Sequence, residues 1–278
     1  FEPFVTYVTG ALYPKHALEG GKEAPDDFVM NPVGTGPYKV ESFTPNDQIV
    51  FVVNEHYREP NKPYFERVLL KGGGDGVAAA RAVMQTGEYD FAWGPQIEPD
   101  VYDSMTGADA LGDMVPLQPV SFERLFINFS DPYTEVDGQV SEMNTPNPVL
   151  SDPAVRQAIA LGVDRQRITD EFYGLGSVPG QNVVNGDPSV FSPNTSWAYD
   201  PDAAAQVLED AGWVANDGGL RAKDGTELRL TFCSPVNSRR QKTQATIKAN
   251  PEAIGFAIGL EQVDAGIFFD ASPGNEQS

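Results

Sequence analysis

A backbone turn followed by a strand is predicted at Asn31-Pro32-Val33-Gly34-Thr35-Gly36-Pro37-Tyr38-Lys39-Val40. The strand continues through Glu41-Ser42-Phe43. Glycine reaches positive φ freely and proline fixes its own φ, so the two glycines and two prolines predict a fixed backbone turn. The residues after Pro37 then alternate as those of a strand do. A phosphate-binding loop is the alternative, but this stretch has no third glycine, no Lys-Ser/Thr pair, and a proline where a backbone donor is needed. We therefore interpret it as a structural turn.

Composition excludes several classes of partner. The 278 residues include 19 basic and 40 acidic side chains, which gives a formal net charge of −21. Without a global basic field, nucleic acid is not an expected partner. No apolar run reaches the roughly 18 to 20 residues of a membrane span, and the opening Phe1-Glu2-Pro3-Phe4 does not resemble a signal segment. The length suits one large domain or two of medium size.

Metal and thiol chemistry have little support in the sequence. Cys233 is the single cysteine, so it predicts neither an internal disulfide nor a thiolate cluster. His16 and His56 lie far apart and neither has a metal-ligand spacing. No cofactor and no metal site are predicted.

The first half of the chain alternates strands with a helix. Strands are predicted from Gln48 to Val53, from Arg67 to Leu70 and from Tyr89 to Trp93, and an amphipathic helix capped by Asp75 separates the last two. The glycine cluster before this helix lacks the lysine and serine of a P-loop, so we interpret it as a turn. The order strand, helix, strand indicates an α/β layer. Another strand is predicted from Ser121 to Phe129.

Downstream, capping acids predict three helix starts. Asp152-Pro153 and Asp200-Pro201 each place an N-cap acid before a proline at the first helical position, where the missing N–H costs nothing. Asp164 is expected to cap a short helix that ends at Gly174.

The last part of the chain has the order strand, helix, strand. The strands are predicted from Glu227 to Cys233 and from Phe256 to Val263. Between them, Ser238 and Gln241 fit a capping box that opens a helix. Pro251 is expected to kink or end that helix.

Several motifs, taken together, resemble one family of proteins. They follow the family's order along nearly the whole chain: Lys15-His16-Ala17-Leu18, the Asn31 to Tyr38 turn, Asn54-x-x-Tyr57, Pro63-Tyr64-Phe65, Gly87-Glu88-Tyr89-Asp90, Asp152 to Ala158 with Val163-Asp164-Arg165, and Pro251 to Gly255. The set resembles the extracytoplasmic solute-binding proteins of peptide and nickel ABC transporters, family 5. Two positions depart from the pattern: Arg58 stands where tryptophan is usual, and Pro251 stands inside a helix that the family usually continues.

This resemblance implies a fold class. It implies an α/β, two-lobed periplasmic binding protein of type II, similar to oligopeptide-binding proteins, with mixed sheets. Residues 1–120 are then part of lobe 1, residues 121–130 a crossover strand, and residues 131–278 part of lobe 2. Because family members carry further segments at both ends, the chain is expected to be an internal fragment with incomplete portions of both lobes. Unpaired edges are then expected to cause self-association or marginal stability.

Four candidate ligand-binding residues lie in and before the crossover strand. Trp93 ends a predicted strand and offers a ligand an aromatic wall, with core packing as the alternative, and Gln96 lies close by. Arg124 and Asn128 share one strand face by parity and carry a cation and a two-way hydrogen-bonding amide. They suit a peptide backbone or terminus, and the alternative for this pair is a salt bridge to a neighbouring acid.

Arg239 is the leading candidate. It lies in the first turn of a predicted helix, where an anion is favoured, and a guanidinium binds a carboxylate through two parallel hydrogen bonds. The resemblance implies that the loop from Cys233 to Arg239, which includes Asn237, matches one whose arginine holds the carboxylate of bound peptides in some members. Arg240 takes this role if the alignment shifts by one residue. The alternative for Arg239 is a solvated arginine at a helix start.

The implied function is binding and transport rather than catalysis. The resemblance implies the substrate-binding component of an ABC importer, periplasmic or extracytoplasmic, which captures an oligopeptide or dipeptide by lobe closure and delivers it to a membrane permease. The alternatives are another solute, such as an oligosaccharide or a nickel complex, a carboxylate-dependent hydrolase, or a chain that binds nothing alone. A serine hydrolase has no support, because Gly-x-Ser-x-Gly and an identifiable histidine partner are missing.

Overall fold

The computed structural model describes residues 13–17, 26–72, 74–116, 123–174, 176–182 and 188–270. The chain forms two compact units, one ending at Ala78 and the other beginning at Ala79. The predicted lobe boundaries at residues 120 and 130 divide the chain differently and stay a prediction. No helix in the described ranges is both long enough and apolar enough to cross a membrane.

The first unit is built on a three-stranded antiparallel sheet in the order β1-β2-β3. The central strand β2 pairs with both neighbours, and Val50 in its middle is buried. The strands predicted for this part of the chain are therefore confirmed. The elements of this unit are a 3-10 turn at Lys15–Ala17, α1 (Asp26–Met30), β1 (Tyr38–Thr44), β2 (Gln48–Val53) and β3 (Arg67–Lys71).

The turn before β1 is anchored by an asparagine at the end of β2. The Asn54 side-chain amide donates to the Gly36 carbonyl at 2.8 Å, and the Asn54 backbone N–H donates to the Pro37 carbonyl at 2.9 Å. The Tyr38 hydroxyl donates to the Phe65 carbonyl at 2.9 Å. Because carbonyl groups of the turn are used to hold it in place, the prediction of a structural turn is confirmed.

The second unit contains most of the helices and a parallel strand pair. A small antiparallel sheet has the order β4-β5-β6, and β7 pairs with β8 in parallel. Parallel and antiparallel strands with helices confirm the mixed α/β prediction. After α2 (Gly76–Met84), the elements are α3 (Pro99–Asp103), α4 (Pro153–Gly162), α5 (Arg165–Ile168), a π-helical turn (Thr169–Tyr173), a 3-10 turn (Pro188–Val190), α6 (Pro201–Asp210), β4 (Val214–Ala215), β5 (Arg221–Lys223), β6 (Thr226–Glu227), β7 (Arg229–Pro235), α7 (Ser238–Glu252), β8 (Ala257–Val263) and α8 (Ala265–Phe268).

Two predicted strands are wrong. Residues 89–93 are irregular, and positive φ at Gly87, Gly94 and Gln96 repeatedly turns the backbone around them. Residues 123–129 have no strand partner in the described part of the chain, and only an isolated bridge from Ser130 to Pro146 follows them. The rest of that second strand, residues 121 and 122, lies outside the described residues. Apolar alternation alone cannot make a strand where no ladder partner is available.

The capping acids behave as the sequence predicts. Each accepts a hydrogen bond from a backbone N–H in the first turn of its helix, which satisfies one of the unpaired donors there. The pairs are Asp152 with Ala154 at 2.9 Å, Asp164 with Arg167 at 3.0 Å, and Asp200 with Ala203 at 2.8 Å.

The helix α7 connects the parallel strands and is fixed to both by one side chain. Gln244 is completely buried, and its amide donates to the carbonyl of Phe232 in β7 and to that of Glu261 in β8, the latter at 3.0 Å. Its oxygen accepts from the Gln262 amide at 3.3 Å. Pro251, which was predicted to kink or end this helix, lies inside the last turn of α7, and the helix ends one residue later at Glu252.

Asp152 joins three elements around the main core. Its carboxylate caps α4 and also accepts hydrogen bonds from the Trp213 indole N–H and the Lys223 ammonium, both at 3.0 Å. Burial acts to raise the pKa of Asp152, but the hydrogen bonds from Lys223, Trp213 and Ala154 outweigh it and hold this pKa below its usual value. The surrounding core consists of Val149, Val155, Ala158, Ala204, Leu208, Trp213, Leu228, Ile254, Phe256 and Ile258.

We expect D152N to lower the free energy of unfolding by about 2 kcal/mol near neutral pH, because an amide can still cap α4 but cannot also accept from both the buried Trp213 indole and the partly exposed Lys223 ammonium. Since the folded pKa of Asp152 is depressed, its stabilisation is present above the unfolded pKa of about 4 and is lost as the pH falls through the folded value. Urea unfolding at neutral and acid pH measures this. D217N removes an exposed carboxylate and is the control; an equal effect of both variants would contradict the assignment.

The edge strand β3 predicts association between copies. Among the described strands it pairs only with β2, and Leu69 and Leu70 are about half exposed. We expect L70K to shift the chain toward monomer in sedimentation velocity, because a charged edge disfavours strand pairing. V33K changes an equally exposed residue outside the strands and should have no effect. A wild-type chain that stays monomeric at high concentration would contradict the prediction.

Candidate functional site

The N-terminus of α7 is capped by Asn237. Its side-chain oxygen accepts the Arg240 backbone N–H at 3.0 Å, and its backbone is extended. The predicted capping box from Ser238 to Gln241 is therefore wrong: Asn237 is the N-cap, and it accepts from the Arg240 N–H rather than from the Gln241 N–H that a Ser238 capping box would use. The Gln241 side chain instead donates to Gln262. Because the side-chain oxygen of Asn237 is used by the cap, a ligand role would rest on its side-chain N–H₂ group. This role stays a prediction.

Arg239 is the feature of this helix start that suits a ligand. Its guanidinium carbon lies 4.3 Å from the centre of the Tyr173 ring, and the side chain is half-buried. The Nε atom is buried without a hydrogen-bond partner, and no carboxylate of the described residues pairs with this guanidinium. Burial lowers the pKa of Arg239, which remains far above neutral pH because the ordinary arginine value is so high. The group is therefore a half-buried cation whose buried Nε donor is unused within the described part of the chain.

Neighbouring cations of α7 already have partners. Arg240 donates to one Glu123 oxygen from Nε at 3.0 Å and from Nη2 at 2.8 Å. Lys242 pairs with Glu98, whose side chain is almost fully buried. The sequence left open whether Arg239 or Arg240 holds a carboxylate, and this pairing favours Arg239.

Tyr173 was missed by sequence reasoning. It is the last residue of the π-helical turn, which Gly174 ends with φ 54° and ψ −144°, a conformation open essentially only to glycine. Burial raises the pKa of Tyr173, so the phenol stays neutral. The only local signal was a tyrosine at a predicted helix end, and nothing in the sequence pointed from there to Arg239.

The other predicted site residues lie in irregular segments. Trp93 is 81% exposed, so it does not pack in a core formed by the described residues. Gln96 is exposed with φ 47°. Arg124 lies 5.3 Å from the Phe126 ring, and Asn128 accepts the Ser130 backbone N–H at 3.0 Å. Since residues 123–129 form no strand, the predicted shared face of Arg124 and Asn128 is wrong.

These residues are not brought together with Arg239. Within the described part of the chain, Trp93, Gln96 and Asn128 make no hydrogen bond or ring contact with Arg239 or Tyr173. A ligand role for these residues, and for Arg124, stays a prediction.

A cavity of about 500 Å³ lies on the parallel strands, and its lining includes none of the predicted ligand-binding residues. Its lining includes Tyr133, Arg229, Thr231 and Gly259. The arginine among them forms an ion pair with Glu227. This cavity therefore lacks the unpaired guanidinium that distinguishes the start of α7.

Within the described ranges, the structure supports neither a metal-binding site nor a reactive cysteine. No group of three or more histidine, cysteine, aspartate or glutamate side chains there is arranged to hold a metal ion. Burial, together with the neighbouring Glu261, raises the pKa of Cys233, which disfavours a reactive thiolate.

Comparison with known proteins gives a family. A profile described as "Bacterial extracellular solute-binding proteins, family 5 Middle" matches residues 2–276. Protein XP55 from Streptomyces lividans is 24% identical over 264 residues, which cover 94% of this chain and 44% of XP55. A putative ABC transporter peptide-binding protein from Brucella ovis is 26% identical over 214 residues, covering 74% of this chain and 36% of that protein. The chain thus spans less than half the length of these relatives.

A solved structure shows the same fold. Lactococcal OppA, complexed with an endogenous peptide in the closed conformation, has a TM-score of 0.62 and 18% identity, covering 96% of this chain and 51% of OppA. The predicted fold class, a portion of an oligopeptide-binding-like protein, is confirmed by this match. At such low identity the likeness concerns the fold alone.

Gly174 ends the π-helical turn that carries Tyr173, so a substitution there tests the packing beside the site. A Cβ at this position would lie 2.6 Å from Cγ of Pro99, and the backbone conformation is itself unfavourable for alanine. We expect G174A to lower the free energy of unfolding by about 3 kcal/mol, since overpacking and strain each cost about 1–3 kcal/mol. G138A also changes a glycine with positive φ but meets nothing within 4 Å, so about 1 kcal/mol is expected. Chemical denaturation measures both; equal losses would show that the contact with Pro99 is unimportant.

Proposed function

Because this chain belongs to the bacterial extracellular solute-binding proteins of family 5, we propose that the full-length protein captures a small peptide for a membrane permease of an ABC importer. The name of the Brucella ovis relative and the peptide in the OppA structure support a peptide as the solute. The protein acts outside the cytoplasm, as the family description indicates, and performs no catalysis.

One observation carries the peptide assignment. Arg239 is a half-buried cation whose buried Nε donor has no partner among the described residues, in a chain whose net charge is −21. Withdrawing a charge from water is costly unless hydrogen bonds or an opposite charge replace the water. A peptide carboxylate supplies both through charge-assisted hydrogen bonds, for which a guanidinium is the best matched side chain.

Lobe closure provides the mechanism. A ligand enclosed between two lobes loses its water, and the same ion pair becomes stronger because the local dielectric falls. Arg239 then contributes little to the open state and much to the closed one. Trp93 and the amide of Asn237 are the remaining candidates for contacts along the peptide, together with Gln96, Arg124 and Asn128.

Ion pairs between two glutamates and cations of α7 disfavour the hydrolase alternative. A catalytic carboxylate pair needs one group to exchange a proton with the substrate. Glu98 and Glu123 lie beside α7, and each is held by a cation, Lys242 and Arg240. These ion pairs favour a structural role for both acids.

We expect tetraalanine to bind the full-length protein with measurable heat, and its C-terminal amide to bind more weakly, because the amide lacks the carboxylate charge. R239Q should weaken tetraalanine binding roughly 10- to 100-fold and remove the preference over the amide. Isothermal titration calorimetry measures both ligands. R167Q removes a surface arginine paired with Glu171 and is the charge-matched control.

Two outcomes would overturn this proposal separately. No heat with alanine peptides of two to five residues, but heat with maltohexaose or with nickel and histidine, would replace the peptide with another solute. Peptide binding that R239Q leaves unchanged would remove Arg239 from the site while keeping the peptide.

A further inference from the structure

The contact between Arg239 and Tyr173 is closer than the other cation–ring contacts of the described residues. The guanidinium carbon lies 4.3 Å from the ring centre, whereas the other three such distances are between 5.0 and 5.9 Å. At 4.3 Å no water molecule fits between the two groups. The ring therefore excludes water from one side of the cation, and a desolvated cation–ring contact is stronger than one in water.

The ring is supported by a small apolar cluster. Tyr173 packs against the cluster formed by Val163, Ile168 and Ile247. Its backbone is fixed by the π-helical turn, which closes with a hydrogen bond from the Gly174 N–H to the Thr169 carbonyl at 2.8 Å. π-Helical turns occur often at functional sites. The ring has two side-chain torsions and little freedom, so it is a rigid support for the more flexible arginine.

We propose that Tyr173 is a positioning residue for Arg239: its ring covers one side of the guanidinium, limits its motion, and leaves its N–H donors to a ligand carboxylate. This inference rests on the proposed function, since it assigns a role at the same site. The charge still comes from Arg239, and Tyr173 determines where that charge is presented. Affinity increases because less side-chain entropy is lost when the peptide binds.

A purely structural role for Tyr173 is the competing explanation, and the chain offers a matched control. Phe172 is the preceding residue and packs against the same apolar cluster, but no cation of the described residues lies over its ring. F172L and Y173L each replace a partly buried ring by an aliphatic side chain. Only Y173L removes the support of Arg239.

The experiment compares tetraalanine with its C-terminal amide by titration calorimetry in the full-length protein. We expect Y173L to weaken tetraalanine binding about 5-fold and to leave the amide nearly unchanged, so that the ratio of the two affinities falls. Y173F keeps the ring and should retain the wild-type ratio. F172L should keep this ratio as well, and in an R239Q background Y173L should not lower the ratio further.

The possible outcomes distinguish a failure of this inference from a failure of the proposed function. If R239Q lowers the affinity ratio and Y173L does not, Tyr173 has no positioning role while the proposed function stands. Equal weakening of acid and amide by Y173L, or the same ratio in Y173L and F172L, would also overturn the inference. If R239Q itself leaves the ratio unchanged, the carboxylate site is refuted together with the role of Tyr173.

Discussion

The buried amide of Gln244 is the contact on which the arrangement of the candidate site depends. It bonds to one carbonyl in each of the parallel strands β7 and β8 and to the side chain of Gln262. A buried amide that lost these partners would be costly, so α7 has one favoured rotation and one favoured height on the strands. Hydrophobic contacts alone would allow the helix to slide. The directions of the charged residues in its first two turns follow from this.

Once the helix is fixed, its three cations near the start meet different surroundings. Arg240 and Lys242 reach Glu123 and Glu98, whereas Arg239 lies over Tyr173. With 40 acidic and 19 basic residues in the chain, most cations have a carboxylate to pair with. Among the described residues, Arg156 and Arg165 are also half-buried without a carboxylate, but both donate to backbone carbonyl groups, whereas the buried Nε of Arg239 has no partner. The same local arrangement places the Tyr173 ring against Arg239 and leaves Arg239 without a carboxylate ion pair in the described ranges.

Sequence reasoning succeeded where the deciding interactions are local. Asp152 and Asp200 bind amides within their own helices. The turn before β1 was predicted from its glycines and prolines, but Gly34 and Gly36 do not have positive φ and Asn54 anchors the turn. Sequence reasoning failed for residues 89–93 and 123–129, because a strand needs a partner that apolar alternation does not specify. The same limit applies to the site. Arg239 was found from its place at a helix start, but its contact with Tyr173 joins positions far apart in the chain, and only the packing of the π-helical turn brings them together.

The energies favour the proposal that Arg239 binds a ligand carboxylate. A cation–ring contact returns about 0.5 to 2 kcal/mol, whereas removing part of a guanidinium from water without hydrogen-bond acceptors costs several kcal/mol. A structural role would favour an uncharged side chain of similar volume at this position, because it would pack on Tyr173 without that cost. The charge at this position therefore favours the proposed state in which an anion is bound. Since Glu98 and Glu123 are already held by other cations, that anion comes from outside these two acids, which is the condition a captured peptide terminus fulfils.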